Sequence, residues 1–114
     1  MPHPIPADWR SAVRSILKRG DMRNILLRKD ARKDWQDMFP DQGYDYQILD
    51  ALATPLTDSS LMGNLKPNMN EPGTTYEFIF QHESRSVYAK INLLPGNKIV
   101  IIYSAHRPLK GNTL

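Results

Sequence analysis

Apolar residues recur along this chain with two different periods, and the change of period divides it. Trp9, Ala12, Val13, Ile16 and Leu17 fall at i, i+3, i+4, i+7 and i+8, the stripe of an amphipathic helix. Asp8 can cap its start by accepting bonds from free backbone N–H groups, and Gly20 fits the position just past its end. Arg10, Arg14 and Lys18 line another face at i+4 spacing. Asp21 can cap a second helical pattern through Met22, Ile25, Leu26, Leu27, Ala31, Trp35, Met38 and Phe39. The very polar stretch 28–34 leaves open whether that is one helix or two. Residues 40–43 stop it. Residues 46–53 form a third helical segment, ended by Pro55. Residues 57–73 are rich in breakers and read as one long loop, a length at which loops are often functional.

The last third alternates instead. Tyr76, Phe78 and Phe80 interleave with Glu77, Ile79 and Gln81; Val87, Ala89, Ile91 and Leu93 interleave with Tyr88, Lys90 and Asn92. Residues 82–85 join these two strands, and Pro95-Gly96-Asn97 is the turn into a third strand over 99–105. The run 99–102 is apolar on both faces, as in a central or deeply buried strand. The predicted order is three helices, a loop and three strands. The expected fold class is α+β, with N-terminal helices packed on a C-terminal three- to four-stranded antiparallel sheet. The length, 114 residues, suits one domain over 1–114, with 1–7 and 108–114 as loose tails.

Composition narrows the function classes. Cysteine is absent, which removes disulfides and thiolate metal sites. No apolar run approaches the ~20 residues of a membrane span, and the N-terminus lacks the apolar stretch of a signal peptide, so a cytoplasmic location and no membrane partner are expected. Net charge is only +3, but its distribution is uneven. Residues 10–33 hold nine Lys/Arg and two Asp, residues 34–58 hold six Asp and no Lys or Arg, and residues 59–114 hold six Lys/Arg and three Glu with no Asp. Basic segments suit a polyanion such as nucleic acid, or are simply solvated faces. The acidic segment can pair with the basic one or repel nucleic acid.

No phosphate-binding glycine loop, nucleophile elbow or zinc-protease motif is present. His3, His82 and His106 lie far apart in sequence without carboxylates at ligand spacing, so no metal is expected. What remains is the polar side of the strands. Period-two alternation places Tyr88, Lys90 and Asn92 on one side, and Ser104 with His106 on one side of the third strand. If those sides coincide, one surface gathers Glu77, Tyr88, Lys90, His106 and Arg107. Such a set holds what RNA cleavage by side chains alone requires: a base for the ribose 2′-OH, an acid for the leaving 5′-oxygen and cations for the phosphorane. Glu77 can serve as base. His106, an imidazole, suits either proton role, and His82 is a further candidate base. Tyr88 serves as acid only with a lowered pKa, or else as a hydrogen-bond donor. The bland alternative is the polar, solvated side that any antiparallel sheet presents.

The segment Ser86-Val87-Tyr88-Ala89-Lys90-Ile91-Asn92-Leu93 resembles the VYxKI strand of MqsR-type toxins, within the RelE/barnase-EndoU-colicin-like superfamily. Ile99-Val100-Ile101-Ile102-Tyr103-Ser104-Ala105-His106, which follows it, is similar to the hydrophobic strand ending in Ser-x-His of related small domains. Leu17-Lys18-Arg19-Gly20-Asp21-Met22-Arg23 is similar to that family's helix-glycine step. The resemblance implies a RelE-like fold, mRNA cleavage without cofactor, and a cognate antitoxin or immunity protein as partner. The strand-face reading and the resemblance together give Glu77, Tyr88 and His106 as expected catalytic residues, with Lys66, Arg85, Lys90 and Arg107 expected to bind RNA, including ribosome-associated mRNA; Arg85, Lys90 and Arg107 enter by their charge. Tyr88 matches the family's functional tyrosine. Glu77 stands where the family has a glutamine, and Lys66 most nearly matches a functional lysine. Two other readings compete: a non-enzymatic nucleic-acid binder using the helices over 10–33, and a protein-interaction module of phage or immunity type presenting residues 34–58.

Overall fold

The computed structural model describes residues 1–109, 111 and 113–114. The chain forms three helices and a six-stranded mixed sheet, so the α+β class holds while the sheet is larger than expected. In chain order come β1 (His3–Pro4), α1 (Ala7–Arg19), β2 (Ile25–Leu27), α2 (Lys29–Met38), α3 (Asp45–Ala53), β3 (Met62–Leu65), β4 (Thr74–His82), β5 (Arg85–Leu93) and β6 (Val100–His106). The sheet order is β1-β3-β4-β5-β6-β2; all neighbours are antiparallel except β2, which runs parallel to β6.

The three unexpected strands are short and flank the expected ones. Ile25, Leu26 and Leu27 satisfy a helical stripe, yet three consecutive apolar residues also suit a strand with one face in the core. Ile25 and Leu27 are buried here and Leu26 is exposed. Asp21 therefore caps only a short 3-10 turn, accepting from the Arg23 amide at 3.0 Å, before the chain extends. The stretch read as a single loop over 57–73 contains β3. The N-terminal segment is not a loose tail: β1 pairs with β3, the Ile5 amide donates to Leu61 O, and Ile5 is 2% exposed. Arg10 secures the same segment by donating to the carbonyls of Ile5 and Leu56. The proposed loose tail over 108–114 lies partly outside the described residues.

Helix α1 begins two residues earlier than a cap at Asp8 would give, with Pro6 at the cap position and Asp8 in the first turn. Gly20 ends it in the left-handed conformation (φ 68°), its amide bonding Ile16 O. The helices lie on one face of the sheet, α2 over β6 and α1 against α3 and β5. Their apolar stripes meet Phe78, Phe80, Val87, Ala89, Ile91, Val100, Ile102 and Ala105 in one core. Trp35 centres it, packed on Phe39 at 4.6 Å between ring centroids, with its indole N–H on Gln42 O. The acidic segment does pair with the basic one: Lys18 with Asp50, Arg32 with Asp45 and Lys33 with Asp37.

Strands β4 and β5 form a hairpin whose turn residues, Glu83 and Ser84, both have positive φ (50° and 67°), matching the right-handed twist of the strands. Between β5 and β6 the register shifts after Lys90, which pairs with Ser104, while Ile91 pairs with Ile102. Tyr103 is the extra residue of this bulge. The sequence carries the mark of it: Ile102 and Ala105 both face the core although three positions apart, which strict alternation forbids.

Gly63 lies where β3 crosses Ile5. A Cβ there would stand 2.5 Å from Glu77 O and 2.7 Å from the Ile5 side chain. Gly63→Ala is therefore expected to destabilise the fold by about 1–3 kcal/mol, measured by urea unfolding, with early loss of hydrogen-exchange protection at the Ile5 amide. A variant as stable as the parent would refute this packing.

Candidate functional site

The sheet face opposite the helices carries a transverse row set by register. Asn64 pairs with Glu77, Glu77 with Lys90, and Lys90 with Ser104. One step along, Ile79 pairs with Tyr88 and Tyr88 with His106. Lys66 continues β3 toward Thr75, its amide donating to Thr75 O at 2.8 Å. Lys66, Glu77, Tyr88, Lys90, Ser104 and His106 line one cavity of about 360 Å³, closed on another side by Leu109, Thr113 and Leu114.

Glu77 is the centre of this group and is only 9% exposed. The Tyr88 hydroxyl donates to Oε1 at 2.6 Å, the Asn64 amide donates to Oε2 at 3.0 Å, and Lys66 Nζ stands 3.9 Å from Oε1. Burial alone would raise the carboxyl pKa. The bonds from Tyr88 and Asn64 and the charges of Lys66 and Lys90 outweigh it, and Glu77 sits below the usual carboxylate value. A carboxylate has about four lone-pair sites, so the pair of donors leaves acceptor capacity on both oxygens. Tyr88 moves the other way: burial, then the bond to Glu77 and its charge, push the phenol well above its ordinary value. This removes the acid role and leaves Tyr88 as a neutral donor that orients Glu77.

Tyr88 also stacks on His106, with ring centroids 4.9 Å apart and planes 20° apart. The His106 Nδ1 lies 2.7 Å from Arg107 O. A carbonyl only accepts, so Nδ1 carries a hydrogen and Nε2 is the nitrogen available for proton exchange. Glu77, Tyr88 and His106 thus form a continuous chain of contacts, flanked by two lysines.

Two of the expected RNA-binding residues lie elsewhere. Arg85 and Arg107 line a separate cavity with Met38 and Pro108, and Arg85 donates to Met38 O at 2.6 Å with its guanidinium 5.7 Å from the Phe39 ring centre. Strand parity explains this. Arg85 shares its side with Val87 and Ala89, and Arg107 with Ala105, the helix-facing side. His82 also turns to that side, against Trp35 and Phe39, with Nε2 2.8 Å from Gln42 Oε1, so it is no candidate base for this site. Asn64 was missed because its strand lay within a segment that gave no alternation to read. A larger cavity, about 600 Å³, opens between α1 and α3, but its Lys18, Asp45 and Asp50 are already paired. Among the described residues no group of three or more His, Asp or Glu is placed to hold a metal ion, and no helix is long and apolar enough to cross a membrane.

No protein-family description, curated protein or solved structure matches this chain.

The two shifts make opposite pH predictions. A lowered Glu77 pKa stabilises the fold above the unfolded carboxyl value, about 4.3, and that contribution is lost as pH falls through the folded value. A raised Tyr88 pKa stabilises below the unfolded phenol value, about 10, and is lost as pH rises through the folded value. Glu77→Gln is expected to be less stable than the parent at neutral pH, the gap closing below about pH 4. Urea titrations of both proteins across pH measure it; a gap that widens on acidification contradicts the assignment.

Proposed function

We propose that this chain is a metal-independent endoribonuclease of the toxin type, acting by attack of the ribose 2′-hydroxyl on the adjacent phosphodiester. The observation that carries the reading is the gathering of Glu77, His106, Lys66 and Lys90 around one cavity, with Tyr88 joining the carboxylate to the imidazole. The resemblance of the strand bearing Tyr88 to that of MqsR-type toxins, and of the strand bearing His106 to that of related small domains, points the same way.

The chemistry runs through side chains. Glu77, ionised at neutral pH, accepts the 2′-OH proton. The 2′-oxygen then bonds to phosphorus. Lys66 and Lys90 offset the negative charge that grows on the non-bridging oxygens. The bond from phosphorus to the 5′-oxygen breaks, and protonated His106 supplies a proton to that oxygen from Nε2. The products are a 2′,3′-cyclic phosphate and a 5′-hydroxyl, with atoms and protons balanced. Tyr88 keeps one Glu77 oxygen in place and covers the imidazole face. A protein toxin of this kind requires a cognate antitoxin or immunity protein in the cell that makes it, and the open sheet face is the surface such a partner would cover.

The helix-based nucleic-acid reading has less support. Lys18, Arg23, Arg32 and Lys33 each meet an aspartate, and Arg10 is committed to two backbone carbonyls. With Arg28 beside Glu71 on the sheet side, six of the nine cations over 10–33 are therefore neutralised or occupied, whereas Lys66 and Lys90 share a single carboxylate, Glu77.

Purified protein in excess chelator is expected to cleave single-stranded RNA and leave 2′,3′-cyclic phosphate ends, identified by mass spectrometry. Glu77→Gln and His106→Ala should each lower kcat by about 10²–10⁴-fold, and induced expression should arrest growth only with both residues present. The acid limb of the kcat/KM profile should fall below the ordinary carboxylate range. RNA left intact by the parent protein, with and without ribosomes, overturns the reading.

A further inference from the structure

The transverse row does not end at the catalytic group. Beyond Lys90 it reaches the bulge residue Tyr103 and then Arg28, the first residue after β2. Leu27 pairs with Ile102, so Arg28 lies beside Tyr103, and alternation turns it to the open face. Lys90 Nζ and Arg28 Cζ each stand 5.8 Å from the Tyr103 ring centre. Glu71, from the segment between β3 and β4, steadies Arg28 at 3.8 Å. That segment is itself fastened to the open face: Asn92 is fully buried, accepts from the Thr75 hydroxyl at 2.9 Å and donates to Pro72 O at 2.9 Å.

Cations thus recur at every second strand: Lys66 from β3, Lys90 on β5 and Arg28 beyond β2. Neighbouring strands lie about 4.8 Å apart, so strands two places apart are about 10 Å apart. Lys66 starts two residues along from Asn64, and its Nζ reaches back to 3.9 Å from Glu77 Oε1. A bulge next to a functional site re-aims a side chain. Here the added residue puts an aromatic ring between two like charges. The ring's π face attracts both and holds them in line while their heads stay open to solvent; the Arg28 side chain is 50% exposed.

We propose that Arg28, set by Tyr103 and Glu71, binds a phosphate of single-stranded RNA that flanks the bond being cut, so that the strand lies across the sheet from Lys66 over Lys90 to Arg28. This rests on the endoribonuclease reading and names the binding subsite beyond it. A guanidinium suits the task because its planar fork meets two phosphate oxygens at once. Arg28 makes no contact at the scissile group, so its contribution appears in binding of longer strands and not in the chemical step.

The test separates the two readings. Binding is followed with a 2′-O-methyl oligoribonucleotide, which has no free 2′-hydroxyl and is not cleaved. Cleavage is followed with an unmodified oligonucleotide and with a dinucleotide holding one phosphodiester. Arg28→Gln should reduce the slope of log K against log salt by about 0.7, the value for one phosphate on a single strand. It should raise KM for the oligonucleotide about tenfold, leave kcat unchanged and leave dinucleotide cleavage unchanged. Arg28→Lys should keep most of the slope, and Arg14→Gln, on α1, should change nothing. A salt slope that falls in Arg28→Gln while no preparation cleaves RNA would end the nuclease reading and keep the subsite. An unchanged slope and KM in a variant that melts like the parent, or an oligonucleotide that does not bind, overturns the subsite.

Discussion

A carboxylate withdrawn from water must find its compensation nearby, and the open face of this sheet is arranged around that demand. Isolated, a charge as shielded as Glu77 would have its pKa raised. It stays ionised because a phenol, a side-chain amide and two ammonium groups converge on it from β3, β5 and the start of the following segment. None of these is close to Glu77 in sequence; strand pairing supplies all of them. The same pairing fixes what each group can do. Tyr88 is held as a donor to Glu77, so under the nuclease proposal the proton-transfer roles fall to Glu77 and His106. The tyrosine becomes the element that keeps those two in register.

Pairing of β5 with β6 adds a second constraint. A sheet with unbroken alternation would put either Ile102 or Ala105 on the open face. The bulge at Tyr103 keeps both in the core and presents two successive residues, Tyr103 and Ser104, near Lys90. Packing on one side and charge on the other are thereby solved by one inserted residue. The cost is a local break in the ladder, which leaves an aromatic ring among cations beside the cavity.

Much of this was legible in the sequence, and the failures share a cause. The alternation over 76–81 and 87–93 gives β4 and β5 and correctly turns Glu77, Tyr88 and Lys90 to one side, because nine paired residues let period two speak clearly. The helices α1 and α3 follow from their stripes. β1, β2 and β3 were not legible, since two to four residues cannot establish a period. Their pairing is decided by the long strands already beside them. Asn64 was missed with β3. Arg85 and Arg107 were assigned by charge where parity was the deciding property: both fall on the core-facing side of their strands. Residue type suggested chemistry, but only the face on which each residue lies decides whether it takes part.

The charge pattern of the chain is reorganised by folding in a way that its linear order conceals. The richest basic stretch, 10–33, meets the aspartates of 34–58 across the helices, and exposed pairs of this kind add little stability. Their effect is on the field. Pairing cancels much of the positive potential on the helical side. On the opposite side Lys66, Lys90 and Arg28 stand with two carboxylates among them, Glu77 and Glu71. A modest net charge of +3 thus becomes directional. A polyanion approaching this molecule meets less cancelled positive charge on the sheet, around Glu77 and His106, than on the helices, whose cations are largely paired. Uneven neutralisation, more than total charge, is what gives this small domain a directional field, the feature on which the RNA proposal rests.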